Sequence, residues 1–234
     1  HMKYSIKVNN INSKEGSNIK GFATVVFGDS FKITNIAILE NKDKDQLFVS
    51  MPRYKSTERD ENGSIIYKDV CNPITAEFRE EFYTNILEAY ERAIAPEQEQ
   101  VQDNGKGMQG VVKMPEFSVT VSPYERDGSN IKGLARIYIE ESFIVNNVNI
   151  LQGKENIFVS MPAYKTKQND EQGKAIYQDV CYPVTKEFRE KLYTEILREY
   201  EQAKEKSQDQ AKDNAEKPAG NRVNQQEKEA TPFR

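Results

Sequence analysis

The sequence has one histidine, two cysteines and no tryptophan among its 234 residues. The histidine is His1, and we interpret His1-Met2 as a remnant of cloning. Without another histidine, the chain lacks Ser-His-Asp and Cys-His catalytic groups and imidazole metal ligands. Two cysteines are also too few for a zinc site built from four thiolates, and without further histidines a site of two thiolates and two imidazoles cannot be built either. We therefore expect no enzyme, no catalytic residue, no bound metal and no cofactor.

Long apolar runs are also missing. No stretch approaches the ~18–20 consecutive apolar residues of a membrane span, and the N-terminus has no basic-then-apolar secretion signal. The hydrophobic fraction is 37%, below the ~45–50% usual for globular domains, and the formal net charge is -4. These features predict a cytoplasmic protein with no membrane partner, part of which does not belong to a packed core.

The sequence contains an internal repeat. Residues 17–40 align with residues 129–152, and residues 47–92 align with residues 157–202, with more than half of the positions identical in the longer block. The stretch between the copies and the C-terminal stretch are rich in polar residues and have little to bury. We predict a first module over 3–95, a linker over 96–115, a second module over 116–205, and a polar, disordered tail over 206–234.

Each copy has the pattern of several strands followed by one helix. In the first copy, alternating or β-branched residues predict strands over 4–8, 19–27, 31–39 and 47–51, then a polar loop over 54–64 and a short return strand over 65–67. Thr75 is a suitable N-cap for a helix whose apolar residues recur every three or four positions. The prediction is an α+β fold: an antiparallel β-sheet followed by a C-terminal α-helix, duplicated as a pseudo-two-fold tandem repeat whose copies pack on each other.

Two sets of equivalent residues could carry chemistry but have simpler interpretations. Cys71 and Cys181 precede the helix starts, where a thiol can be activated, but without a basic neighbour a small buried residue is the favoured interpretation. Asp69 and Asp179, with acidic pairs in the preceding loops, could act in acid–base chemistry or bind a cation. Their spacing matches no calcium loop, and we favour turn and strand-end roles.

The segment after the fourth strand interleaves cations with tyrosine. Its candidate nucleic-acid-binding residues are Arg53, Tyr54, Lys55, Arg59 and Lys68 in the first copy, and Tyr164, Lys165 and Lys167 in the second. Lysine and arginine neutralise phosphates, and tyrosine stacks on bases. An ordinary solvated loop is the alternative interpretation of these residue types.

The charge of each module limits this hypothesis. Residues 1–96 and residues 117–206 each carry 13 basic and 14 acidic side chains, so each module is nearly neutral. Ala163 and Gln178 also replace the Arg53 and Lys68 of the first copy. Any nucleic-acid binding is therefore expected from a local patch, mainly in the first copy, and to weaken strongly with salt.

Both copies resemble the stage V sporulation protein G (SpoVG) family. The resemblance rests on SNIKG, on LFVSMP or IFVSMP, and on Tyr-x-Asp-Val-Cys-x-Pro, and it covers about 90 residues of each copy. It implies an antiparallel sheet with a following helix, dimerisation through strand pairing, and DNA- or RNA-binding regulation linked to septation or sporulation. The basic loop after Met-Pro is the implied binding element.

The family pattern places its residues at specific positions of this chain. The loop cations fall on Tyr54, Lys55, Tyr164 and Lys165; the cation before the aspartate falls on Lys68 and Gln178; the histidine before proline falls on Asn72 and Tyr182. Several of these positions have lost the family's residue type. A protein-interaction or assembly module, using a sheet edge or the tail and no nucleic acid, is therefore the alternative hypothesis.

Overall fold

The computed structural model describes residues 2–9, 11, 15–95 and 113–216, with side chains only to residue 210 in the last helix. The first module consists of β1 (Tyr4–Asn9), β2 (Ile19–Phe27), β3 (Phe31–Asn41), β4 (Gln46–Ser50), β5 (Arg53–Arg59), β6 (Ile65–Asp69), β7 (Cys71–Pro73) and α1 (Ala76–Ile94). The second consists of β8 (Phe117–Pro123), β9 (Ile131–Ile139), β10 (Phe143–Gln152), β11 (Ile157–Ser160), β12 (Ala163–Asn169), β13 (Ala175–Asp179), β14 (Cys181–Pro183) and α2 (Lys186–Glu216). The predicted α+β fold with two similar halves is confirmed.

The main sheet of each module is antiparallel and receives one strand from the other module. Strand β14 pairs with the start of β3, whereas β4 pairs with the end of β3. Reciprocally, β7 pairs with the start of β10, whereas β11 pairs with its end. Each sheet thus has five strands, four from its own module and one from the other.

Backbone hydrogen bonds extend this strand exchange on both sides. The N–H of Asn146 donates to the carbonyl of Val70 over 2.8 Å, and the N–H of Thr34 donates to the carbonyl of Val180 over 2.9 Å. Because buried backbone groups require partners, each module completes the hydrogen bonding of the other. The expectation that the two copies pack on each other is met by paired strands, not by surface contact alone.

Each helix covers the inner face of its sheet. Thr75 caps α1 through its Oγ1, which accepts from the N–H of Phe78 over 3.3 Å, as the sequence predicts. The side chains of Phe78, Phe82, Ile86 and Tyr90 are buried along one stripe of the helix. The equivalent buried residues of α2 are Phe188, Leu192, Ile196 and Tyr200.

The two halves share one hydrophobic core. The ring of Phe143 from the second module lies 5.1 Å from that of Phe27 and 6.0 Å from that of Phe82, both in the first module. Cys71 and Cys181 are free and completely buried. A hydrogen bond with Cys181, together with burial, raises the pKa of the Cys71 thiol, so it remains protonated and unreactive. The interpretation of the cysteines as small buried residues is confirmed.

One local prediction is wrong. The polar stretch expected as a loop over 54–64 is mostly strand, because β5 pairs with β6 to form a hairpin that is separate from the main sheet. The turn is held by Asp60, whose Oδ1 accepts from the N–H of Asn62 over 2.9 Å and of Ser64 over 2.8 Å. Strands β12 and β13 form the equivalent hairpin in the second module.

The C-terminal helix is longer than the second predicted module. It continues to Glu216 and so includes the first part of the segment expected as a tail. Residues 217–234 and most of the predicted linker, residues 96–112, lie outside the described residues. Within the described parts, neither helix is long and apolar enough to cross a membrane.

Candidate functional site

Two equivalent clefts lie where the hairpin of one module meets the sheet of the other. Cleft one has a volume of about 450 Å³ and is lined from the first module by Arg53, Tyr54, Tyr67, Lys68, Asp69 and Asn72, and from the second by Arg136, Asn146 and Asn147. The strand exchange creates it: β7 follows the hairpin directly and pairs with β10, which places the hairpin base beside Asn146. The Nδ2 of Asn146 donates to the carbonyl of Asp69 over 3.4 Å.

A β-bulge forms the floor of cleft one. Asn146 and Asn147 on β10 stand opposite the single residue Arg136 on β9, because the register shifts between Val145 and Val148. Asn147 has a φ of 57°, in the left-handed region that asparagine tolerates better than most residues. The bulge exposes Asn147 and brings its side chain into the lining beside Arg136.

Two of the three cations in cleft one are engaged in exposed ion pairs. The Nε of Arg53 lies 3.2 Å from Oδ1 of Asp69, and the Nζ of Lys68 lies 2.6 Å from Oε1 of Glu58. The hydrogen bond with Glu58 raises the pKa of Lys68, so this amine stays charged at neutral pH. Exposed ion pairs of this kind contribute little, and both cations can therefore exchange a carboxylate for a phosphate.

Cleft two has the same architecture and a different chemistry. It has a volume of about 570 Å³ and is lined by Tyr164, Tyr177, Gln178, Asp179 and Tyr182 from the second module, and by Asn9, Thr24, Thr34 and Asn35 from the first. Its floor is the equivalent bulge, in which Asn35 has a φ of 59°. Among the described residues, its lining contains no lysine and no arginine.

The acidic residue of cleft two has lost its partner. Ala163 stands where the first copy has Arg53, and Asp179 has no ion pair among the described residues. Partial burial raises the pKa of the Asp179 carboxyl. Gln178, which replaces Lys68, accepts a hydrogen bond from the Tyr164 hydroxyl over 2.8 Å. This lining therefore carries a negative charge where that of cleft one is positive.

The structure divides the predicted site residues into two groups. Arg53, Tyr54 and Lys68 line cleft one, and Tyr164 lines cleft two. The others belong to the hairpin strands β5 and β12 but not to either lining; these are Lys55, Arg59, Lys165 and Lys167. Arg59 uses its Nη1 locally, donating to the carbonyls of Ser56 over 3.3 Å and Glu58 over 3.0 Å.

Sequence reasoning missed the half of each cleft that the other module supplies. Arg136 lies on β9, far along the chain from the first hairpin, and the bulge asparagines resemble ordinary strand residues. A signal was present in the repeat alignment, where Arg136 of the second copy stands at the position of Thr24 in the first. Over the described parts of the chain, no group of three or more histidine, cysteine, aspartate or glutamate residues is arranged to hold a metal ion.

The fold and clefts define a class of protein: a duplicated α+β module whose halves exchange a strand and share two composite clefts. The SpoVG family profile matches residues 2–92 and 114–202, most of the chain, and the protein belongs to the SpoVG family.

Individual relatives match about one module each and are named "Putative septation protein SpoVG". The one from Treponema denticola is 38% identical over 85 residues, which is 36% of this chain and 83% of the relative. The one from Caldanaerobacter subterraneus is 29% identical over 79 residues, 34% of this chain and 80% of the relative. A Phytoplasma australiense relative is 33% identical over 73 residues, 31% of this chain and 70% of the relative.

Proposed function

We propose that the protein is a non-enzymatic, cytoplasmic nucleic-acid-binding regulator of the SpoVG type, with a role in septation or sporulation-type control, and that cleft one contacts the phosphate backbone. The observation that carries this proposal is the grouping of Arg53, Lys68 and Arg136 around one cleft. Two of these cations come from one module and one from the other. The septation role is suggested by the names of the relatives.

The composition of cleft one suits a single strand. Two of its cations are partly exposed, with side-chain exposures of 55% for Arg53 and 41% for Lys68. Tyr54 and the exposed Tyr67 add rings on which bases can stack, and stacking contributes roughly 1–3 kcal/mol per base. Asn147 adds a carboxamide that can donate and accept hydrogen bonds. The cleft thus combines phosphate neutralisation with base stacking.

The near-neutral charge of each module is compatible with this function. Phosphate binding depends on the cations that reach the ligand and displace its counterions, so a cluster of three can act in a protein of net charge -4. The resulting affinity should be modest at physiological salt and high at low salt. Binding to any nucleic acid should therefore be measured across a salt series.

The decisive experiment compares two triple charge reversals in a mobility-shift assay with single- and double-stranded DNA and RNA pools. Arg53→Glu/Lys68→Glu/Arg136→Glu removes the cations of cleft one. Lys55→Glu/Lys165→Glu/Lys167→Glu changes the net charge equally but alters cations outside both linings. We expect the first variant to lose binding at low salt and the second to retain most of it. Circular dichroism checks that both variants fold.

The outcomes separate the parts of the proposal. Equal loss in both variants would show that general charge, not cleft one, governs binding. If partial reversal leaves measurable binding, the slope of log affinity against log salt should fall, for each lost phosphate contact, by about 0.7 with a single strand or about 0.9 with a duplex. An absence of binding by the unmodified protein at low salt would overturn the nucleic-acid function itself.

A protein-interaction module is the second candidate function. Phe48 on β4 and Phe158 on β11 are equivalent residues, and their side chains are 42% and 43% exposed. Each copy thus presents an aromatic ring to solvent at the same place on its outermost strand, where it can contact a partner. This candidate predicts that Phe48→Ser/Phe158→Ser abolishes retention of a protein partner in a pull-down and leaves folding intact. Unchanged retention would exclude this surface.

A further inference from the structure

We infer that cleft two binds a cationic side chain, specifically the guanidinium of an arginine in a basic peptide. This inference is independent of the proposed nucleic-acid function, because the linings of the two clefts share no residue. Three features carry it: the charge of the lining, its aromatic rings and its unpaired acceptors.

The charge of the lining favours a cation. Cleft one has three cations and one carboxylate, whereas cleft two has one carboxylate and no cation among the residues that the structure describes. All three cation positions have changed, to Ala163, Gln178 and Thr24. A phosphate placed here would meet the Asp179 carboxylate with no cation in the lining to neutralise it, whereas a guanidinium would restore the pairing that Arg53 provides for Asp69 in the other cleft.

The aromatic rings supply the second element of recognition. Tyr164, Tyr177 and Tyr182 line the cleft, and Tyr177 is 63% exposed. The Nζ of Lys32 already lies 5.9 Å from the centroid of the Tyr182 ring, so the exposed rings of Tyr164 and Tyr177 are the ones that remain for a ligand cation. Arginine is the preferred cation for such a site because its planar guanidinium stacks on rings while donating in its own plane.

The polar groups of the cleft need donors. The carboxylate of Asp179 accepts hydrogen bonds only, and it has no ion-pair partner among the described residues. The Tyr164 hydroxyl already donates to Gln178 and is therefore free to accept. A guanidinium has five N–H donors and no acceptor, which complements this set. A carboxylate or phosphate has no N–H donor to offer Asp179 and would repel it.

NMR titration tests the assignment with two capped amino acids. N-acetyl-arginine amide carries the guanidinium, and N-acetyl-citrulline amide is its neutral analogue of nearly the same shape. We expect the ring signals of Tyr164, Tyr177 and Tyr182 to shift with arginine and to shift much less with citrulline. Asp179→Asn should weaken the arginine affinity about tenfold, the loss expected for one charge-assisted hydrogen bond.

Two further variants make the test specific. Ala163→Arg should abolish arginine binding, because it supplies a guanidinium that pairs with Asp179 as Arg53 pairs with Asp69. Asp69→Asn, the matched change in cleft one, should leave arginine binding unchanged. Asp179→Asn should retain nucleic-acid binding, so failure of this inference is distinct from failure of the proposed function. The inference is overturned if citrulline causes equal shifts, or if these tyrosine signals do not shift with arginine. It is also overturned if arginine binding is insensitive to either cleft-two variant, or if mononucleotides shift the signals instead.

Discussion

Cleft one and cleft two have the same backbone and opposite electrostatics. In both, a two-stranded hairpin faces a β-bulge from the other module, and an aspartate ends the hairpin at the same position. Three substitutions, at 53/163, 68/178 and 24/136, change the lining from mainly cationic to acidic, and a fourth, at 72/182, adds a tyrosine ring to cleft two. The comparison shows that one scaffold can carry linings of opposite charge, because a few exposed residues set that charge.

The largest loss of stability is expected from a substitution in the shared core that supports both clefts. Phe143→Ala removes a completely buried ring that contacts Phe27 and Phe82 of the other module. We expect a loss of about 3–5 kcal/mol in the free energy of unfolding, measured by urea denaturation, and damage to both clefts together. Phe158→Ala, at an exposed aromatic residue of the same module, is the control and should change stability far less. Similar losses in both variants would contradict a shared core.

The next effect tests whether three positions explain the difference between the clefts. Ala163→Arg/Gln178→Lys/Thr24→Arg gives cleft two the cations of cleft one. We expect nucleic-acid stoichiometry, measured by titration at low salt, to rise from one site per chain to two. For a single strand long enough to reach both clefts, the salt slope should steepen by up to about 2. An unchanged stoichiometry would show that Tyr182 or other residues also block phosphate binding.

The smallest effect concerns the bulges. Asn147→Ala places a side chain without local polar groups at a φ of 57°, and should cost about 1 kcal/mol in the free energy of unfolding. Asn35→Ala should cost a similar amount, because its φ is 59°. The ligand effects should differ: Asn147→Ala weakens only the ligand of cleft one, and Asn35→Ala only that of cleft two. If the two variants had identical effects on both ligands, the assignment of one ligand to each cleft would be contradicted.

Much of the fold follows from local patterns in the sequence. Three features can be predicted because each depends on residues close together in the chain: the Thr75 cap, the apolar stripe of α1 and the β2–β3 hairpin at Gly28-Asp29. The turn residues Gly28 and Asp29 have φ values of 49° and 50°, which suit a tight hairpin. In the second copy Glu140 and Glu141 adopt the same turn without glycine. Alignment with the first copy therefore predicts this second turn, whereas its own residue types do not.

The clefts could be predicted only in part. Strands β7 and β14 have three residues each, too few to show a period, and their partners lie in the other module. Without that pairing, nothing in the sequence brings Arg136 to Lys68 or Thr24 to Tyr177. The hairpin half of each cleft was within reach of sequence reasoning, since Arg53, Tyr54 and Lys68 are close in the chain. The sheet half depends on long-range strand pairing, which propensity and composition do not encode.

The exchanged strands also have a genetic consequence. In a homodimer of a single-module protein, one codon change alters two symmetric sites at once, so neither site can change without the other. Here the two halves are encoded separately, and each cleft takes its hairpin from one copy and its sheet from the other. A substitution at a lining residue in either copy therefore reaches only one cleft. Fusion of the copies allows selection to retain one ancestral surface while its twin acquires another specificity.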